Sequence, residues 1–147
     1  MKEPRVLIIE DNDALRVMLF TILRHQPLGV DTARSADEAI EITCDYALIL
    51  IDMDLPDGDG ETFLRDFAEK RPEATSFVIA ARDPGGDVYI DPQLVVTVLN
   101  KPLEIDMLAE VVRECAFLVP PPEDPLPCSA AENGLRDPLD RGSYIAN

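Results

Sequence analysis

Two acidic residues in succession, Glu10-Asp11, directly follow the short apolar run Val6-Leu7-Ile8-Ile9. A third, Asp52, directly follows Ala47-Leu48-Ile49-Leu50-Ile51, and Lys101-Pro102 comes just after an apolar stretch from Leu94 to Leu99. If these runs are parallel strands of one sheet, all three points lie at the same edge. Three carboxylates then converge on one crevice with a lysine beside them. Carboxylates held close repel each other unless a cation sits among them. Oxygen ligands suit a hard divalent ion, and magnesium is the usual choice where phosphate is handled. Such an ion would neutralise a phosphoryl donor and let an Asp oxygen attack phosphorus, giving a covalent aspartyl phosphate. The lysine would stabilise the transferred oxygens as a positive point charge. Phosphoryl transfer needs mostly positioning and charge neutralisation, so few residues suffice.

The elements that must position these groups are legible in the hydrophobic pattern. Val6–Ile9 reads as a buried strand, followed by a helix carrying Leu15, Met18, Leu19, Ile22 and Leu23 and ending near His25-Gln26-Pro27. Gly29–Ala33 reads as a second strand. Ser35-Ala36-Asp37-Glu38 matches a capping box that starts a helix through Ala36, Ala39, Ile40 and Thr43. The continuous apolar run Ala47–Ile51 is the mark of a central strand covered on both faces. Phe63, Leu64, Phe67 and Ala68 give a third helix, stopped before Pro72, and Phe77–Ala81 and Leu94–Leu99 give the last two strands. Ile105, Leu108, Ala109, Val112 and Ala116 mark a final helix. Strands alternating with helices predict a parallel sheet covered on both faces, with its ligand site beyond the carboxyl ends of the strands. One stretch breaks the alternation. Asp83–Pro92 holds two prolines and two glycines where a helix is due, which predicts a loop with at most a short helical turn.

The net charge of -16 sets the chain against direct nucleic-acid binding and against anionic membranes. No run is long and apolar enough to span a bilayer, the N-terminal residues lack a signal-peptide pattern, and a cytoplasmic location is expected. Cys44, Cys115 and Cys128 are odd in number and widely spaced, which suggests neither disulfides nor zinc. The first two lie in apolar helical patterns and read as buried reduced thiols. From Val119 the chain turns proline-rich and polar, so residues 1–118 are expected to form the domain and residues 119–147 an extended or disordered tail. The rival reading of the tail is a partner-docking strap anchored by Leu135, Leu139 and Tyr144-Ile145.

Together these motifs resemble the receiver domain of bacterial two-component response regulators, over roughly residues 4 to 118. Leu7-Ile8-Ile9-Glu10-Asp11-Asn12 is similar to the family's first strand and acid pair. Ile51-Asp52-Met53-Asp54-Leu55-Pro56-Asp57-Gly58-Asp59-Gly60 is similar to its phosphoacceptor segment, and Leu99-Asn100-Lys101-Pro102-Leu103 to its lysine-proline segment. The resemblance implies a flavodoxin-like, doubly wound five-stranded parallel sheet, here with its fourth helix degraded. It makes Asp52 the phosphoryl acceptor, with Lys101 contacting the phosphoryl group. Glu10, Asp11, Asp52 and the backbone carbonyl of Asp54 would hold Mg2+. It also implies a Lys101-Pro102 peptide bond that is usually cis. A histidine kinase or phosphotransfer protein, or a small phosphodonor, would supply the phosphoryl group to a single-domain regulator acting on an unknown downstream protein.

Two departures stand out. The family carries Thr or Ser at the end of its fourth strand, and the matching residue here is Ala80. It often carries an aromatic residue three before the lysine, and Val98 stands there. A one-residue slip would substitute Ala81, also without a hydroxyl, and Ser76 comes too early. Asp54 and Arg82 match positions that tune the phosphorylated state's lifetime, and the two are expected to pair. Beside these sharp readings stand bland ones. Acidic residues after strands are commonly solvated turns or caps, and Asp13 is read as helping to start the first helix. His25 is read as a favourable charge at a helix C-terminus, and Asp57 and Asp59 as turn residues. Two other function classes remain: a pseudo-receiver that binds proteins without phosphorylation, and a DxD-type phosphatase built on Asp52-Met53-Asp54. The short length and the N-terminal acid pair argue against the phosphatase. A calcium loop over 52–60 fails because Pro56 falls at a ligand position and no Glu closes it.

Overall fold

The computed structural model describes residues 4–41, 45–71, 76–86 and 89–118. Five strands, β1 (Arg5–Ile9), β2 (Gly29–Ala33), β3 (Leu48–Asp52), β4 (Phe77–Arg82) and β5 (Thr97–Asn100), form one parallel sheet in the order β2-β1-β3-β4-β5. Four α-helices are described: α1 (Asp13–Leu23), α2 (Ala36–Ile40), α3 (Asp59–Lys70), preceded by a 3-10 turn at Pro56–Gly58, and α4 (Ile105–Leu118). This is the parallel sheet that the alternation predicted, in the flavodoxin-like arrangement that the resemblance implied. The expected Thr43 and Cys44, and the whole of residues 119–147, lie outside the described residues.

Alternation along the strands builds two cores. Leu7, Ile9, Ile49, Ile51, Val78 and Ala80 face α2 and α3, where Phe63 is buried and stacks on Phe67 at 5.6 Å. Val6, Ile8, Leu48, Leu50 and Ile79 face Leu19 and Leu23 of α1 and Leu108, Val112 and Ala116 of α4. Every residue of β3 is buried, which is why its sequence is apolar from Leu48 up to the terminal Asp52. Each fully buried Leu, Ile or Phe contributes about 1.5–3 kcal/mol, and this burial holds the sheet's upper edge in register.

Local starts follow the physics of caps, with two corrections. Asn12, not Asp13, caps α1, its side chain accepting the Leu15 N–H at 2.9 Å, while Asp13 sits in the first turn and pairs with Arg16 at 2.5 Å. The helix ends at Leu23 with Arg24 at the cap, so His25 lies just outside it. Ser35 accepts the Glu38 N–H at 3.2 Å as the capping box requires, but Glu38 reaches back one residue further, to the Arg34 N–H.

Between β4 and β5 no helix occurs among the described residues. Ile90, Leu94 and the buried Val95 pack against the α2–α3 core instead. A turn closed by the Leu94 N–H on the Asp91 carbonyl occupies the start of the expected fifth strand, so β5 begins only at Thr97. Among the described residues no helix is long and apolar enough to cross a membrane.

Candidate phosphoryl-acceptor site

The carboxyl ends of β1, β3 and β5 bring the predicted residues together. β1 ends at Ile9, so Glu10 and Asp11 emerge at the sheet edge beside Asp52, which ends β3. One carboxylate oxygen from each of Glu10, Asp11 and Asp52 lies within 4.8 Å of the others. Glu10 and Asp52 are buried and Asp11 is exposed, so the cluster opens to solvent on one side.

Lys101, at the end of β5, donates to Asp52 Oδ1 at 2.8 Å and lies 3.1 Å from Asp54 Oδ2. Asp52 Oδ1 also accepts the Asp54 N–H at 2.9 Å. Burial alone would lower the Lys101 pKa. The hydrogen bonds to Asp52 and Asp54 outweigh it and hold the ammonium above its ordinary value. The Lys101-Pro102 peptide is cis, as the resemblance implied.

Burial pushes the Glu10 carboxyl up to about 8, against the pull of the Asn12 N–H on its Oε2 at 3.1 Å and with a further push from Asp52. Burial of this kind disfavours the charged carboxylate, and a cation beside it would favour that form. The donor set is all oxygen, three carboxylates converging on one point, which fits a hard divalent ion such as Mg2+ and not a soft metal.

Three supports were not read from the sequence. Arg16 is buried on α1 and donates to the Glu10 carbonyl at 3.1 Å, tying the helix to the acid pair. The readable signal was its phase, in line with buried Leu19, Phe20 and Leu23, whereas Met18 of the expected apolar stripe is exposed. The second is the Asp83 N–H, which donates to Asp54 Oδ2 at 2.7 Å. The third is Gly60, buried against Met53 immediately after Asp52. The expected Asp54–Arg82 pair is corrected: Asp54 pairs with Lys101 instead, and the buried Arg82 Nε makes no hydrogen bond.

The remaining positions fall where the motifs placed them. Ala80 is fully buried and is the register neighbour of Val98, which is partly exposed on the edge strand. The sheet partner of Asp52 is Ala81, so neither register offers a hydroxyl. Ser76 lies at the opposite edge of the sheet and donates to the Tyr46 carbonyl. Two other readings are corrected: Asp59, read as a turn residue, opens α3, and Cys115, read as buried, is a free, half-buried thiol.

Comparison with known proteins agrees with this geometry. The response regulator receiver domain matches residues 6–113. The transcriptional regulatory protein BasR of Escherichia coli is 30% identical over 118 residues, covering 74% of this chain and 50% of that protein. The KDP operon transcriptional regulatory protein KdpE, also of E. coli, is 34% identical over 96 residues, covering 58% of this chain and 43% of KdpE. The chain thus spans about half the length, or less, of these relatives. In fold it is similar to a CheY-like receiver domain from Methanospirillum hungatei, with a TM-score of 0.68 at 20% identity over 79% of this chain and 96% of that one.

Proposed function

The chain belongs to the response regulator receiver domains, and from that premise we propose that it accepts a phosphoryl group on Asp52 in a two-component relay. The observation that carries the reading is the convergence of Glu10, Asp11 and Asp52 within 4.8 Å, with Lys101 on Asp52 at 2.8 Å. Glu10, Asp11, Asp52 and the Asp54 carbonyl would hold Mg2+, which when bound supplies charge neutralisation for the incoming phosphoryl oxygens.

In the transfer, an Asp52 carboxylate oxygen attacks phosphorus. The new O–P bond forms as the P–N bond to the donor imidazole breaks. The imidazole leaves with that bond's electron pair and takes up a proton. Lys101 holds Asp52 Oδ1 in place and offers its remaining N–H groups to the transferred oxygens. Buried Arg16 keeps the Glu10 backbone fixed at the end of β1. The chain would thus be a signalling phosphoacceptor of the cytoplasm rather than a turnover enzyme. Its phosphoryl donor would be a histidine kinase or phosphotransfer protein, and its output partner another protein. Residues 1–118 would form the receiver and residues 119–147 an appended tail.

The test is incubation with acetyl phosphate, with and without magnesium, read by intact mass. One added phosphoryl group that requires magnesium and is absent from Asp52→Asn is the expected result. A second reading, a protein-binding module independent of phosphorylation, is favoured by Ala80, Val98 and the lack of a helix between β4 and β5 among the described residues. Folded protein that takes no label would favour it.

A further inference from the structure

One oxygen of Asp54 serves two elements. Asp54 Oδ2 lies 3.1 Å from Lys101 Nζ and accepts the Asp83 N–H at 2.7 Å. Asp83 opens the connection from β4 to β5. Its carboxylate accepts the Gly85 N–H and its carbonyl accepts the Gly86 N–H, each at 3.0 Å, forming a small turn. Gly86 faces the same Asp54 carboxylate, since a Cβ there would stand 3.7 Å from Oδ1. Contacts therefore run without a gap from Asp52 through Lys101 and Asp54 to this turn.

We propose that Asp54 is a positioning residue that shares Lys101 with Asp52 and, through its second bond, reports the state of Asp52 to the 83–86 turn. This rests on Asp52 being the phosphoryl acceptor. Before transfer, the compact lysine ammonium divides its charge between two carboxylates. A phosphoryl group adds strong acceptor oxygens and about one to two further negative charges at Asp52. Those oxygens draw Lys101 toward themselves and repel the Asp54 carboxylate. Asp54 then loses its cation and turns from the site, and the Asp83 N–H loses its acceptor.

The turn is a place where such a change costs little. Residues 83–86 are all exposed, and no helix backs them among the described residues. Further along the same connection, Ile90, Leu94 and Val95 cover the core face where Ala80 is buried. The turn and this apolar patch belong to the same connection between β4 and β5. Ala80 and Val98 bring no hydroxyl or ring to that face, so the Asp54 route is built from groups this chain does possess.

The test follows the backbone amides of Asp83, Gly85 and Gly86 by hydrogen exchange in isotope-labelled protein. Magnesium alone is compared with magnesium plus beryllofluoride as the phosphoryl stand-in. Exchange at Asp83 is expected to quicken about tenfold on adding beryllofluoride, the scale set by losing one charge-assisted hydrogen bond. Asp54→Ala should exchange at the fast rate already with magnesium alone and show no further change. Asp54→Asn, which keeps an acceptor but not the charge, should remain slow with magnesium alone. A purely structural cap would quicken in Asp54→Ala but leave the wild-type rate indifferent to beryllofluoride, and that result overturns the proposal. Acetyl phosphate labelling of the wild type separates the two claims. Labelled protein with an unchanged Asp83 amide sinks the Asp54 route alone, and folded protein that never labels sinks both.

Discussion

At the residue scale, the site is a balance of charge around Lys101. Its ammonium sits between Asp52 and Asp54 at 2.8 and 3.1 Å, while Glu10 behind them is pushed up to about 8 by burial. Removing the ammonium in Lys101→Ala leaves two carboxylates facing each other and takes away a donor aimed at the transferred oxygens. Magnesium-dependent labelling of Asp52 is expected to slow by about 10²-fold, on the scale of losing one transition-state donor, with the fold retained by circular dichroism. Lys101→Arg should restore little, because a planar fork cannot occupy the place of a compact ammonium. A labelling rate unchanged in Lys101→Ala would remove the lysine from the mechanism. The acids and the lysine were legible because each comes within two residues of the end of an apolar run, and strand ends are where sheet ligands bind. The partner of Asp54 was not. Whether Lys101 or Arg82 reaches it depends on where two long side chains end, and that is fixed by packing rather than by sequence spacing.

At the scale of elements, α3 must come close to the segment that carries Asp52. Gly60 allows this, because a Cβ there would stand 2.9 Å from Met53 Sδ and 3.1 Å from Met53 Cα. The sulfur can move aside, but the backbone beside Asp52 can yield only by shifting Asp52. Gly60→Ala is expected to destabilise the protein by about 1–3 kcal/mol despite the better helix propensity of Ala. Urea unfolding would measure it, and an unchanged midpoint would show that the approach is looser than the geometry states. The strands and long helices were readable because burial on one or both faces leaves a period in the sequence. Where that period was weak, the reading slipped. Leu94 and Val95 are apolar because they cover the core ahead of the strand, Val96 is exposed, and β5 starts at Thr97. The cap of α1 slipped by one residue because Asn12 and Asp13 both suit the role.

At the scale of the whole molecule, a chain of net charge -16 concentrates three carboxylates at one sheet edge and buries two of them. Such a cluster stores repulsion that a bound cation relieves, so metal binding and folding stability are linked. Magnesium in roughly hundredfold excess over its Kd is expected to add about 2.7 kcal/mol of stability. This would be read as a rise in Tm of several degrees that is largely lost in Asp11→Asn. A melting curve indifferent to magnesium would count against a divalent site. The measurement that bears most directly on the central claim is the position of the phosphoryl group itself. After labelling with acetyl phosphate and magnesium, borohydride reduction converts an aspartyl phosphate to homoserine, which peptide mass spectrometry then locates. Homoserine is expected at position 52 and at no other acidic residue. Homoserine at position 54 or elsewhere, or none in folded protein, would contradict it.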